Sequence, residues 1–380
     1  MIIYRAPIRI EIMSIIHKQS PSETKSNIQG PSHSKTVSRI QNRTSAKSEV
    51  TLTVPHKFPS KTVSKHKKSN KTIIHILYWN PPGYFLHPED VSRRSCMVGN
   101  CELTFNKEMI KKADAVIFNA QSPTKLPKKE FGQVWVFFTL EPADYTGRQI
   151  ERWERMINWT WTYRRDSDIF KPYVGFKQRK APIQEKMLHE KLSKKMRDIT
   201  WMVSHCQTTG KRELYAKNLK KFSSVDIFGA CGSQGCPRFS KACDKLLETY
   251  RYYLAFENCL CRDYATEKIF NTMEYFIVPI VYGGYNSSVY FPPKSIIDTK
   301  EFPQASDLNK KLKSIASDLE EYREYYQWRD YYDIGHPYHD TWCDLCSKLH
   351  NQHKYRRLYD NIANWWKGHS SKSGQFCRTG

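Results

Sequence analysis

Residues 250–268 read YRYYLAFENCLCRDYATEK, an aromatic run of strand type that turns polar at Glu257 and Asn258 and reaches Thr266-Glu267-Lys268 before the apolar stretch that follows. The strand is expected over YYLAFE (252–257), and Thr266 has the side chain of a helix cap. In open α/β sheets, ligands settle at the carboxyl ends of strands, where helix N-termini present unpaired N–H groups. A diphosphate at this junction would meet those donors, with the Lys268 ammonium in the first helical turn as a point charge. Glu267 can accept from ribose hydroxyls, and Asn258 and Tyr264 can hold the same nucleotide. A plain alternative is a capped helix whose Glu267 and Lys268 are solvated.

The pattern extends outward on both sides. Upstream, IIHILYW (73–79), DAVIF (114–118) and VWVFFTL (134–140) are strand-length runs rich in β-branched and aromatic residues. After a charged stretch at 177–198 come ITWMVSH (199–205), VDIFG (225–229), the YYLAFE strand and FIVPIVYGG (276–284). Helical patterns lie between them, at 211–222 and 306–324 for example, and a last helix is expected around 355–367. Strand alternating with helix predicts parallel sheets with helices on both faces. Two such series predict an α/β chain of two Rossmann-like domains facing a cleft. No G-x-G-x-x-G is present, which argues against an ordinary dinucleotide site.

Composition narrows the class. The 380-residue chain carries a formal charge of +23, which could signal a nucleic-acid binder. Residues 1–72, however, hold 14 Lys and Arg against 3 Asp and Glu, so nearly half of the excess lies in one segment. That segment is too rich in Ser, Thr, Lys and Pro to build a core, and is expected to be a disordered basic stem. The remainder is mildly basic, as suits an anionic ligand such as a nucleotide; no nucleic-acid-binding signature is present. Eleven cysteines suggest disulfides in an oxidising compartment, and the sequons at Asn42, Asn70, Asn158 and Asn286 agree with a secretory route. Zinc at Cys343 and Cys346, completed by Cys231 and Cys236, is the competing reading. The opening MIIYRAPIRIEIMSIIH is interrupted by Arg5, Arg9 and Glu11, so neither a spanning helix nor a signal peptide is visible.

The 250–268 stretch resembles the signature of the α1,3-fucosyltransferases, in which an aromatic-flanked Phe-Glu-Asn precedes Asp-Tyr-x-Thr-Glu-Lys. Further blocks fall in that family's order: CELTFNKEMIKKADAVIFNA (101–120), FFTLEP (137–142), NWTWTYRRDSDIFKPY (158–173), WMVSHCQTTGKRELYAKNL (201–219), VDIFGACG (225–232) and Trp342-Cys343-x-x-Cys346. The resemblance runs from about Ile73 to Trp366. It implies a GT-B fold, with an acceptor-binding half at 73–190, a GDP-fucose-binding half at 191–355 and a C-terminal helix and tail at 356–380 packing on the body. It implies Glu141 as general base and Asn258, Tyr264, Glu267 and Lys268 as donor-site residues. Arg212 falls on the pyrophosphate-binding arginine, with Lys211 the alternative one position away. The resemblance also implies inverting transfer of L-fucose from GDP-β-L-fucose to an N-acetylglucosamine of a glycoprotein glycan, the N-glycan core favoured over a Lewis-type LacNAc acceptor. No metal is required on this reading, though Mn²⁺ could stimulate. The family's Golgi location and N-terminal membrane anchor are implied too, although no anchor is visible. The rival is an inactive sugar-nucleotide- or glycan-binding protein of the same fold.

Other expectations rest on the same comparison. Cys343 and Cys346 resemble the pair that the family bridges to its first half, where Cys96 and Cys101 are the natural partners in open order. Cys231 is expected to close a loop to Cys236 or Cys243. Cys259 and Cys261 depart from the family's residues. Arg164 and Arg165 could touch nucleotide or acceptor, or only pair with Asp166 or Asp168 and pin a loop.

Overall fold

The computed structural model describes residues 73–378 except 83–95, 97–99, 123, 174, 234, 238–239, 336–339 and 369–375. The expected basic stem therefore lies outside the described residues. The first lobe is a six-stranded sheet of β1 (Ile74–Tyr78), β2 (Cys101–Thr104), β3 (Ala115–Asn119), β4 (Val134–Thr139), β5 (Trp159–Thr162) and β6 (Ile169–Phe170). Its order is β2-β1-β3-β4-β5-β6 and every pairing is parallel. Its central strands β3 and β4 are buried throughout, as suits a parallel sheet covered on both faces. Val116, Phe118, Trp135 and Phe137 point into one core with Trp153 and Trp366. Ala115, Ile117, Val136 and Phe138 point into the other, with Trp342 and Leu345.

After β7 (Gly175–Gln178), the second lobe holds β8 (Arg197–Met202), β9 (Val225–Phe228), β10 (Tyr250–Phe256), β11 (Leu260–Cys261), β12 (Val278–Tyr282) and β13 (Ile297–Asp298). Five of these form a parallel sheet ordered β13-β12-β10-β8-β9. One face packs Trp201, Leu254 and Ile280 on Leu308 and Leu312, and the other packs Ala255 and Val281 on Ile269 and Phe270. Two small antiparallel pairs complete the fold: β14 (Tyr332–Gly335) on β7, and β15 (Cys377–Arg378) on β11.

The chain then returns to its beginning. The helix Thr341–His350 lays Trp342, Leu345 and Leu349 on the first lobe. Disulfides Cys96–Cys343 and Cys101–Cys346 fix it there. The terminal helix is shorter than the 355–367 expected, spanning Ile362–Lys367. Tyr359 N–H donates to the Ile157 carbonyl (2.8 Å) and Arg155 N–H to that of Asp360 (3.1 Å), which holds the preceding segment extended. Asn361 caps the helix, and Trp366 is buried against Phe137 and Tyr163. The helix expected at 306–324 is two, Ala305–Ser317 and Leu319–Glu324, because Asp318 turns its carboxylate onto the N–H groups of Glu320 and Glu321.

Two cysteine expectations are corrected. Cys231 pairs with Cys206, and Cys236 with Cys243. The Cys231 N–H donates to the Val203 carbonyl, so the turn after β9 lies beside the end of β8, next to Cys206. The zinc reading falls with it, since its four cysteines belong to four different disulfides. Cys259 alone among the described cysteines is free, and it is buried.

Candidate active site

The turn between β10 and the helix Glu267–Glu274 is organised by Glu257, a residue to which sequence reasoning gave no role. Its side chain is fully buried. One carboxylate oxygen accepts from the Thr266 N–H (2.8 Å), and the other from the Thr266 hydroxyl (2.9 Å) and, at 3.3 Å, the Lys268 ammonium. Thr266 is the helix cap, as expected, with its oxygen on the Lys268 N–H. Strand end, cap and first-turn cation are thereby locked as one unit. The only signal for it in the sequence is a carboxylate directly after an apolar strand.

Lys268 is partly exposed and also meets Glu267 (3.5 Å) and the Thr266 hydroxyl (2.9 Å). Burial works against its charge, but Glu257 and Glu267 outweigh burial and raise its pKa, so it is a permanent cation. Burial raises the Glu257 pKa, with Lys268 pulling the other way. The two shifts describe one coupled pair, in which the charged state is the one that the geometry favours.

Glu141 follows β4 in the first lobe. Its backbone is set by a bond from its own N–H to the Thr139 hydroxyl (3.2 Å) and by Tyr173, whose hydroxyl donates to the Leu140 carbonyl. Burial raises the Glu141 pKa, with Lys268 opposing and Glu267 and Glu257 reinforcing. Those couplings bring the first-lobe carboxylate electrostatically close to the second-lobe helix start. Tyr264 belongs to the same group: it is buried, packs on Tyr163 (5.0 Å) and Tyr173 (6.0 Å), and has its pKa raised by burial and by Glu141, Glu257 and Glu267.

Arg212 begins the helix Arg212–Leu219 and is buried, whereas Lys211 is exposed. Its guanidinium donates to the Phe256 carbonyl (2.6 Å) and the His205 carbonyl (3.1 Å), and its Nε has no partner among the described residues. Arg212 thus pins the end of β10 to the segment after β8 and puts a buried positive charge beside Glu257. Asn258 is 7% exposed and its Oδ1 has no partner among the described residues. Tyr145, which sequence reasoning missed, reaches across from the first lobe to His205 Nδ1 (3.5 Å) and to Asn258.

Arg164 and Arg165 lie in different surroundings. Arg164 is buried, pairs bidentately with Asp166 and donates to the Trp365 carbonyl, so it pins a loop. Arg165 is exposed; its N–H donates to the Asp263 carboxylate and its guanidinium lies 5.6 Å from the Tyr290 ring. Asp168 is structural too, accepting from Thr160 and Tyr359 and meeting Arg357.

Two parallel sheets, with a strand-end carboxylate of one coupled to a capped cationic helix start of the other, make this a two-lobed α/β protein of GT-B-like fold. The description "Fucosyltransferase, N-terminal" matches residues 70–174, and "Glycosyltransferase family 10 (fucosyltransferase) C-term" matches residues 192–365. The chain is 35% identical over 300 residues to α-(1,3)-fucosyltransferase C of Drosophila melanogaster, covering 71% of this chain and 70% of that one. It is 33% identical over 328 residues to glycoprotein 3-α-L-fucosyltransferase A of the same organism, covering 83% and 63%. A crystal structure of an α1,3-fucosyltransferase with GDP-fucose aligns at a TM-score of 0.41 and 18% identity, covering 69% of this chain and 84% of that one. The chain belongs to glycosyltransferase family 10, the fucosyltransferases, and is an enzyme of that family.

Proposed function

We propose that this enzyme transfers L-fucose from GDP-β-L-fucose, with inversion and in α1,3 linkage, to an N-acetylglucosamine of glycoprotein N-glycans, the core residue in preference to LacNAc. The observation carrying the reading is the buried Glu257–Thr266–Lys268 unit, which holds a cation in the first helical turn after β10; Glu141 is read as the base across from it. In a single in-line displacement, Glu141 takes the proton of the acceptor's 3-hydroxyl as the new bond forms. Base catalysis of that kind contributes about 10²–10⁴-fold. Its raised pKa brings it nearer to a working base than an ordinary carboxylate.

Charge develops on the departing diphosphate, where Lys268, the N–H groups of the helix start and the buried Arg212 charge oppose it. The Lys268 ammonium lies within 2.9–3.5 Å of Thr266, Glu257 and Glu267. Donor binding would draw Glu267 onto the ribose hydroxyls and leave the ammonium to a phosphate oxygen, while Glu257 keeps it in place. The Asn258 Oδ1 would accept from the same nucleotide, with Tyr264 beside it. These cations stand where other transferases use a metal, and Asp166 and Asp168 are committed to Arg164 and to the Thr160–Tyr359 contact. The reaction is therefore proposed to need no metal, with Mn²⁺ at most stimulating it. On this reading the first lobe binds acceptor, the second binds donor, and the enzyme works in the Golgi lumen. Among the described residues no helix is long and apolar enough to cross a membrane.

The test is incubation with GDP-fucose and a panel of N-glycans and LacNAc, read by mass and linkage. Core α1,3-fucosylated product is expected; product confined to LacNAc would overturn the acceptor assignment, and binding without transfer would favour an inactive binder.

A further inference from the structure

The C-terminal tail ends on the donor-site turn itself. Between Glu257 and Thr266 the chain makes β11, whose Leu260 and Cys261 pair antiparallel with Arg378 and Cys377 of β15. The disulfide Cys261–Cys377 spans 116 residues at this point. Next to it, the Arg262 N–H donates to the Phe376 carbonyl (2.7 Å). On its other side β11 runs against Gly284, where a Cβ would come within 2.3 Å of the Leu260 carbonyl carbon. The turn is thus pressed between a glycine of its own lobe and a strand from the chain's last residues.

The tail also reaches the first lobe. The Phe376 ring lies 4.1 Å from the Arg164 guanidinium, which also lies 4.2 Å from the Trp365 ring and 5.8 Å from that of Trp366. Arg164 is the buried residue that fixes the loop after β5. Within the turn, Asp263 adopts φ 63° and is held there by the Arg165 N–H on its carboxylate (3.2 Å). Only two backbone bonds stabilise the turn internally, Tyr264 to Cys261 and Ala265 to Asp263. Such a short segment, carrying Asn258 at one end and Tyr264 at the other, depends on its surroundings for its shape.

We propose that Phe376–Arg378, fastened through Cys261–Cys377, is a positioning element of the donor site: it holds the Asn258–Tyr264 turn in its nucleotide-binding form before the donor arrives. The inference rests on the donor-site reading above. Its residues touch neither nucleotide nor acceptor; they act through the turn, by removing the ordering cost that binding would otherwise carry.

The discriminating variant is Cys261→Ser/Cys377→Ser, compared with the parent for donor KM, acceptor KM, kcat and calorimetric GDP affinity. The expected result is a donor KM and a GDP Kd raised about tenfold, with kcat and acceptor KM within about twofold, as loss of preorganisation alone would give. A lower melting temperature with donor KM and GDP affinity unchanged would make the staple merely structural and overturn the proposal. If the variant does not fold, hydrogen exchange on the intact chain answers the same question. GDP should slow exchange at 376–378 together with 258–265, and slowing of 258–265 alone would overturn the tail's role. A parent whose GDP binding is absent, or indifferent to Lys268→Ala, overturns the donor-site reading and the proposal with it. A parent that binds GDP and a double variant that binds equally well overturns the tail's role alone.

Discussion

Glu141 is the residue whose chemistry the proposed reaction cannot do without. Glu141→Gln should lower turnover by about 10²–10⁴-fold while leaving GDP affinity nearly intact; unchanged turnover would remove it from the mechanism. Its pKa sits above the ordinary carboxylate value through burial. A base must be ionised to work, so kcat/KM should fall as pH drops through that raised value, placing the acid limb above the usual carboxylate range. A limb at the usual carboxylate pKa would contradict this. The sequons divide on similar grounds. The Asn158 amide nitrogen donates to the Arg357 carbonyl, while its oxygen accepts from Lys129 and the Trp135 N–H. Asn286 is exposed and caps through its oxygen alone, toward the Ser288 N–H and hydroxyl. Mass spectrometry of secreted protein should find a glycan at Asn286 and none at Asn158. The residue types at the site were legible in sequence because Thr, Glu and Lys at a helix start have a physical meaning. Glu257 was not, because what it does depends on facing Thr266 nine residues later.

Among the elements, the helix Glu267–Glu274 depends most on one side chain. Thr266→Ala removes the cap and a hydroxyl on the buried Glu257, and should cost about 0.5–2 kcal/mol in denaturant unfolding, with Thr266→Ser nearly neutral. If Ala and Ser behaved alike, the hydroxyl would have no part in the junction. The strands that sequence found best, β1, β3, β4, β8, β9, β10 and β12, are rich in β-branched and aromatic residues, even where His75, Asp226 or Arg251 interrupts them. β5 and β6 were harder to see, since Trp159–Thr162 mixes Thr with Trp and Ile169–Phe170 is only two residues long. The break at Asp318 was hidden because its neighbours on both sides keep a helical pattern. Cys231 was assigned to the wrong partner because the neighbour that decides it, Cys206, lies 25 residues away across a sheet edge.

At the scale of the molecule, the segment from Thr341 to Lys367 folds back onto the first lobe. Trp342 and Trp366 fill opposite faces of the first sheet, contacts that a local reading of periodicity could not foresee beyond the expectation that the final helix packs on the body. The proposed absence of a metal requirement belongs at this scale too, because it depends on cations from several elements meeting in one place. EDTA-treated enzyme should keep its activity; complete loss restored only by Mn²⁺ would overturn the metal-free account.

The disulfides Cys96–Cys343 and Cys101–Cys346 each join a segment before the passage from one sheet to the next, which runs through Gly175–Gln178 and Glu185–Leu192, to a segment after it. A protease that nicked this passage would sever the peptide without parting the halves. The clipped protein would migrate as a single species until a reductant was added, then as two. The covalent topology is a closed circuit rather than a line, and the first sheet cannot be expressed alone without losing the helix Thr341–His350 that is stapled to it.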